Sequence, residues 1–177
     1  MVPLECRPWL RIFVWVLPVI LWLGWQKQQA PLRWLGLWPS DVSKTVFITL
    51  AAFTLILGWN YFRVHVVVPP TDRLMALALS AYIWIFIGVF VEELVFRGVV
   101  QTHLCEQFSS SIAVILTSLV FFAIHIPGWF ILDIWPGPVV AFSVFLIGLI
   151  CSWLRQWAKS LWPGVAAHYA NNLGALF

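Results

Sequence analysis

The feature that most constrains this chain is the recurrence of apolar runs about as long as a lipid bilayer is thick. A helix needs about 20 mostly apolar residues to cross the hydrocarbon core. That yardstick divides the sequence into about six segments, roughly Trp9 to Trp25, Thr45 to Phe62, Leu74 to Val100, Ser111 to Ile126, Pro136 to Trp157 and Leu161 to Phe177. The connectors are short and hold the expected breakers and polar residues, as in "QKQQAPLRW", "PPTDR", "EQFSSS" and "IPGWFILDIWPGP". The expected fold is therefore all-α, a polytopic transmembrane helix bundle of about six spans forming one integral-membrane domain over residues 1–177. The third segment is longer than a span requires, so it is expected to tilt, to break, or to be two helices meeting near Gly88.

Composition agrees: hydrophobic residues make up 62% and charged residues 10%, where a soluble domain carries about a quarter charged. Mean hydropathy is +0.93 and the sequence pI is near 9.0. The basic residues behind the net charge of +3 are scattered singly, which argues against nucleic acid as a partner and leaves the lipid bilayer. Cys6, Cys105 and Cys151 lie far apart with no CxxC, so small apolar packing is expected of them rather than a disulfide framework or a cysteine zinc site. No small-x-small cleavage site follows the first apolar run, which is expected to be retained as a span. Tryptophans near the segment ends, including Trp25, Trp34, Trp38, Trp129, Trp135, Trp157 and Trp162, are expected to anchor the chain at the interface.

Against this background the stretch "VEELVFRG", Val91 to Gly98, is out of place. A charged side chain at mid-bilayer costs about 2.5 to 3.5 kcal/mol even on insertion scales. Such groups either sit outside the membrane or are there for chemistry. On a helix Glu93 and Arg97 stand four apart in the better orientation for an ion pair, whereas Glu92 is turned about 100 degrees from Glu93 and cannot share that partner equally well. Desolvation raises the proton affinity of a carboxylate in an apolar site, which suits a general base near neutral pH.

Further polar residues lie within the later segments. His125 ends the fourth in "FFAIHIPGW", one turn after Phe121, with Pro127 expected to close the helix. His168 and Asn172 in "AAHYANNLG" are four apart and share a helix face, with Asn171 pointing elsewhere. A histidine at a helix end can be a cap, and a His/Asn pair can join two helices by hydrogen bonding. Together, intramembrane ionisable groups on three segments are expected to converge on a wet cavity. A Glu beside a His can deprotonate water, and a second His with an Asn amide can donate to the oxyanion formed at a carbonyl, a set sufficient for amide hydrolysis.

"EELVFR" (Glu92 to Arg97), "FFAIH" (with Phe121 and His125) and "HYANN" (with His168 and Asn172) resemble, in order, the EExxxR, FxxxH and HxxxN motifs of the CPBP family, the type II CAAX prenyl endopeptidases and their bacterial relatives. The motifs span Glu92 to Asn172, about the C-terminal half, within a motif-bearing core of about residues 74–177. The resemblance implies a glutamate-type intramembrane endopeptidase in which Glu92 activates water with His125 assisting, and His168 and Asn172 line the oxyanion site. Glu93 and Arg97 would be a structural pair, with Phe121 in support. It further implies no metal or cofactor, a membrane-protein or membrane-peptide substrate, a multi-pass protein of the bacterial inner membrane and, in one subset, processing of C-terminal sorting tails. Two alternatives use the same residues: a zinc-dependent membrane protease, and a non-catalytic immunity or binding protein.

Overall fold

A computed structural model describes residues 7–26, 29–63, 65, 79–131, 133 and 135–174, and every regular element among them is helical. Helix α1 (Arg7–Trp25) and the single turn α2 (Pro31–Trp34) precede α3 (Val42–Phe62). A continuous run then comprises α4 (Leu79–Glu93), a π-helical stretch (Leu94–Val100) and α5 (Gln101–Gln107). Helix α6 (Ser110–Ala123) turns through Ile124 into α7 (His125–Ile131), followed by α8 (Pro138–Ala158) and α9 (Trp162–Gly174). The expected start of the third segment at Leu74, the end of the last at Phe177 and Cys6 lie outside the described residues.

Four runs are long and apolar enough to cross a membrane: Val42–Phe62, Leu79–Gln107, Ser110–Ile131 and Pro138–Ala158. The apolar part of α1, Ile12–Trp25, is shorter, and α9 has 13 residues. Length and hydropathy thus mark four candidate crossings among the described residues, with α1 and α9 as shorter helices beside them. The reason for α9 lies in its surroundings. Pro163, Gly164, Val165, Ala167, His168, Ala170 and Gly174 are all buried, so this helix is packed by protein and needs little lipid-facing apolar surface.

The bundle is turned outward relative to a soluble protein. Phe47, Leu55 and Val139 are 71%, 71% and 80% exposed, as lipid-facing side chains should be, while Ala113, Cys151, Ala167 and Ala170 are fully buried. Small residues inside let helix backbones approach closely. Gly174 is the extreme case, since a Cβ there would overlap the Asn60 side chain of α3.

Local sequence explains several boundaries. Asp41 Oδ1 accepts from Lys44 N at 2.9 Å and caps α3. Pro31 and Pro138 occupy first turns, where a missing N–H costs nothing. For the same reason Pro127 does not close the helix as expected: it falls in the first turn of α7, and the chain stays helical to Ile131. Nor does the third segment break near Gly88, which lies within α4; its irregularity is the π stretch after Glu93.

A seam fastens the α2–α3 connector to the α8–α9 turn. Gly36, at φ +78°, accepts from Leu161 N at 2.8 Å, and the Arg155 guanidinium lies where its Cβ would be. Trp162 Nε1 adds to this seam by donating to Leu37 O at 3.0 Å, while Trp34 Nε1 donates to the exposed Glu106 Oε1 of α5 at 2.8 Å. Trp25, Trp38 and Trp135 remain well exposed. Cys105 and Cys151 are free thiols, and Cys151 is fully buried as a packing residue.

Candidate active site

The site is built around a buried ion pair. Glu93 closes α4 and Arg97 sits in the π stretch; both side chains are fully buried, and Arg97 Nη1 lies 2.9 Å from Glu93 Oε1. Burying two charges is costly unless their remaining hydrogen-bonding capacity is met. Arg97 meets it on α8: Nη2 donates to Gly148 O at 2.8 Å and Nε to Ser152 Oγ at 3.3 Å. The Phe121 ring covers the guanidinium with its centroid 4.3 Å from Cζ, a cation–π contact. The π turn itself is a feature that recurs at functional sites.

Glu93 has a second partner. His168 Nδ1 lies 2.9 Å from the same oxygen, Glu93 Oε1. A carboxylate accepts, so Nδ1 carries the proton and Nε2 is turned to the far side of the ring. There it lies 3.9 Å from Glu92 Oε2. That separation is too long for a direct hydrogen bond but short enough for one water to touch both groups. Glu92, with 23% of its side chain exposed against none for Glu93, is the more accessible carboxylate of the two.

His125 approaches from α7. Its Nδ1 lies 2.7 Å from Phe121 O, and because a carbonyl only accepts, Nδ1 is the donor and Nε2 lies on the opposite side of the ring from that bond. Phe121 stands between the two imidazoles, its ring centroid 4.7 Å from that of His125 and 5.6 Å from that of His168, edge-on to both. Residues from the π stretch, α6, α7 and α9 thus meet at one ring, and α4 joins them through the Glu93–Arg97 pair. Asn172 lies half-buried one turn beyond His168 on α9, and its side-chain oxygen accepts from Asn171 Nδ2 at 3.4 Å. Among the described residues, no three His, Cys, Asp or Glu side chains are grouped so as to hold a metal ion.

Comparison with known families decides the lineage. The family model described as type II CAAX prenyl endopeptidase Rce1-like matches residues 74–174. The chain belongs to this family. No curated protein and no solved structure matches the chain. The Rce1-like family is one of proteases, so the protein is a multi-pass membrane protein of hydrolase lineage. Every residue of the three sequence motifs, Glu92 to Asn172, falls inside the matched range.

In this Rce1-like chain, residues outside the three motifs also surround the candidate site, and the motif residues alone do not reveal them. Gly148 and Ser152 hold Arg97; Gln101 Nε2 donates to Ser152 O at 2.8 Å; Cys151 Sγ lies 3.4 Å from Gly164 O. Gly164 brings α9 against the carboxylate, since a Cβ there would stand 3.0 Å from Glu93 Oε2. A signal existed: Gly148 and Ser152 form a small-xxx-small pair on α8, the pattern of a close helix contact.

Proposed function

We propose that the protein is a glutamate-type intramembrane endopeptidase that hydrolyses a peptide bond in a membrane-associated protein or peptide. The observation that carries the reading is the placement of Glu92 Oε2 3.9 Å from His168 Nε2, with the opposite ring nitrogen held by the buried Glu93–Arg97 pair. In this reading Glu92, assisted by His125, removes a proton from water as the water oxygen bonds to the scissile carbonyl carbon. The carbonyl π electrons move onto oxygen, and the resulting oxyanion accepts hydrogen bonds from the Asn172 amide and from His168 Nε2, which donates when the ring carries a second proton beside the one on Nδ1. The carbonyl re-forms, the carbon–nitrogen bond breaks, and the proton held by Glu92 passes to the leaving amine. No cofactor is required.

The family name makes a C-terminal CAAX segment, prenylated or not, the first substrate class to test. Membrane sorting tails are the second, and the bacterial cell membrane is the proposed location. Comparison of membrane proteomes from cells carrying wild type or Glu92→Gln tests the reading. Uncut precursors should accumulate with the variant while the variant itself reaches normal levels. A Glu92→Gln protein that processes substrate at the normal rate would return the chain to a non-catalytic binding or immunity role.

A further inference from the structure

Helix α8 carries none of the three motifs, yet it supports the side chains that do. We propose that Ser152 is a positioning residue of the hydrolytic site, whose hydroxyl acts through Arg97 and Glu93 to set the imidazole of His168 opposite Glu92. This rests on the active-site reading above and extends it to a helix that the motifs leave out.

The chain of contacts is short. Arg97 Nε donates to Ser152 Oγ at 3.3 Å, Arg97 Nη1 to Glu93 Oε1 at 2.9 Å, and His168 Nδ1 to that same oxygen at 2.9 Å. His168 Nε2 is then 3.9 Å from Glu92 Oε2. A guanidinium is a rigid planar fork, so two acceptors along one edge define its plane and aim the remaining nitrogen. Ser152 Oγ and Gly148 O are those two acceptors, one helical turn apart on α8. Without Ser152 Oγ, the Nε–Nη2 edge would keep Gly148 O as its one acceptor and could pivot about it, loosening the aim of Nη1 at Glu93.

Ser152 is itself braced. It is fully buried, its carbonyl accepts from Gln101 Nε2 at 2.8 Å, and its hydroxyl lies 3.4 Å from Ser118 Oγ. Ser118 Oγ is tied in turn to Val114 O at 2.7 Å. The hydroxyl thus has neighbours from the π stretch and α6, while its backbone is clamped by α5. Gly148 leaves no slack, since a Cβ there would meet Phe121 at 3.0 Å and Arg97 Nη2 at 3.5 Å.

The test compares purified wild type, Ser152→Ala, Ser152→Cys, Thr117→Val and Glu92→Gln in phospholipid vesicles, with a farnesylated CAAX peptide and its unprenylated counterpart as probes. Thr117 is the control, an equally buried hydroxyl with no hydrogen-bond partner among the described residues. Small misplacements of reacting groups cost up to about a hundredfold, so Ser152→Ala should lower kcat about tenfold to a hundredfold. KM should move less than about twofold, the pattern expected when an interaction matters only in the transition state. Ser152→Cys, nearly the same shape with a poorer acceptor, should fall between. Nitrogen NMR of labelled histidine, assigned with His168→Gln, should show the His168 ring signals displaced by Ser152→Ala and unmoved by Thr117→Val.

Two results overturn the proposal while the hydrolytic reading stands: Ser152→Ala turning over within about twofold of wild type while Glu92→Gln is inactive, or a loss that only tracks the amount of folded enzyme with the His168 signals unmoved. A fully active Glu92→Gln removes the hydrolytic reading and this inference with it.

Discussion

Glu93 Oε1 accepts from both Arg97 Nη1 and His168 Nδ1, each at 2.9 Å, so a single buried oxygen joins the ion pair to the imidazole. Its neighbour Oε2 has no hydrogen-bond partner among the described residues. The pair is therefore more than a charge-neutralising device, because the acid that balances Arg97 also orients the ring facing Glu92. The consequences differ for each partner that is removed.

Glu93→Gln should destabilise the protein by about 3–5 kcal/mol, because it leaves the Arg97 charge buried without its counterion. Adding Arg97→Met should recover much of that stability, yet activity should stay low because His168 still lacks its carboxylate. Thermal unfolding in detergent and peptide turnover, measured on the two single variants and the double variant, check both halves. Recovery of turnover together with stability would show that Glu93 serves Arg97 alone.

Gly164→Ala should cost about 1–3 kcal/mol by overpacking. The new methyl would stand 3.0 Å from Glu93 Oε2 and 3.4 Å from Cys151 O, so the side-chain carboxylate, already held by Arg97 and His168, is the group it presses on. Turnover per folded molecule should drop as well. Unfolding curves and active-site-normalised rates of the purified variant decide it; a fully active, equally stable Gly164→Ala would mean that α9 shifts without cost.

Gly36→Ala should destabilise through two separable causes. A left-handed backbone costs an L-residue about 1–2 kcal/mol, and the Cβ would sit 2.7 Å from Arg155 Cζ. In a Gly36→Ala, Arg155→Ala double variant the steric part disappears while the backbone part remains. A double-mutant cycle on unfolding free energies should therefore show coupling of the two sites.

Chelation should leave peptide cleavage unchanged, and metal analysis of the purified protein should find no stoichiometric zinc. The grounds are the donor arrangement: Glu93 is engaged by Arg97 and His168, and the described acidic, histidine and cysteine side chains form no group of three suited to a metal. Activity lost to a chelator and restored by zinc would instead favour the zinc-dependent alternative.

Much of this protein was legible in one dimension. Run lengths and hydropathy require helices in lipid, and they locate α3, α6 and α8 to within a few residues. The cost of charge in hydrocarbon singles out Glu92, Glu93, Arg97, His125 and His168, and helical spacing pairs Glu93 with Arg97, because both properties are local to the chain. Three motifs in order named the family that the match over residues 74–174 then established.

Other features are not local. Hydropathy cannot register that α9 is packed among protein side chains, and nothing in "LVFRGVV" announces a π turn. Glu93 meets His168 across 75 positions, and Arg97 and Gln101 meet Gly148 and Ser152 across 51. Sequence determined which groups could not be left in lipid; only the packing of α4, α8 and α9 decided which would satisfy one another, since a buried donor is answered by whichever acceptor the fold brings within about 3 Å.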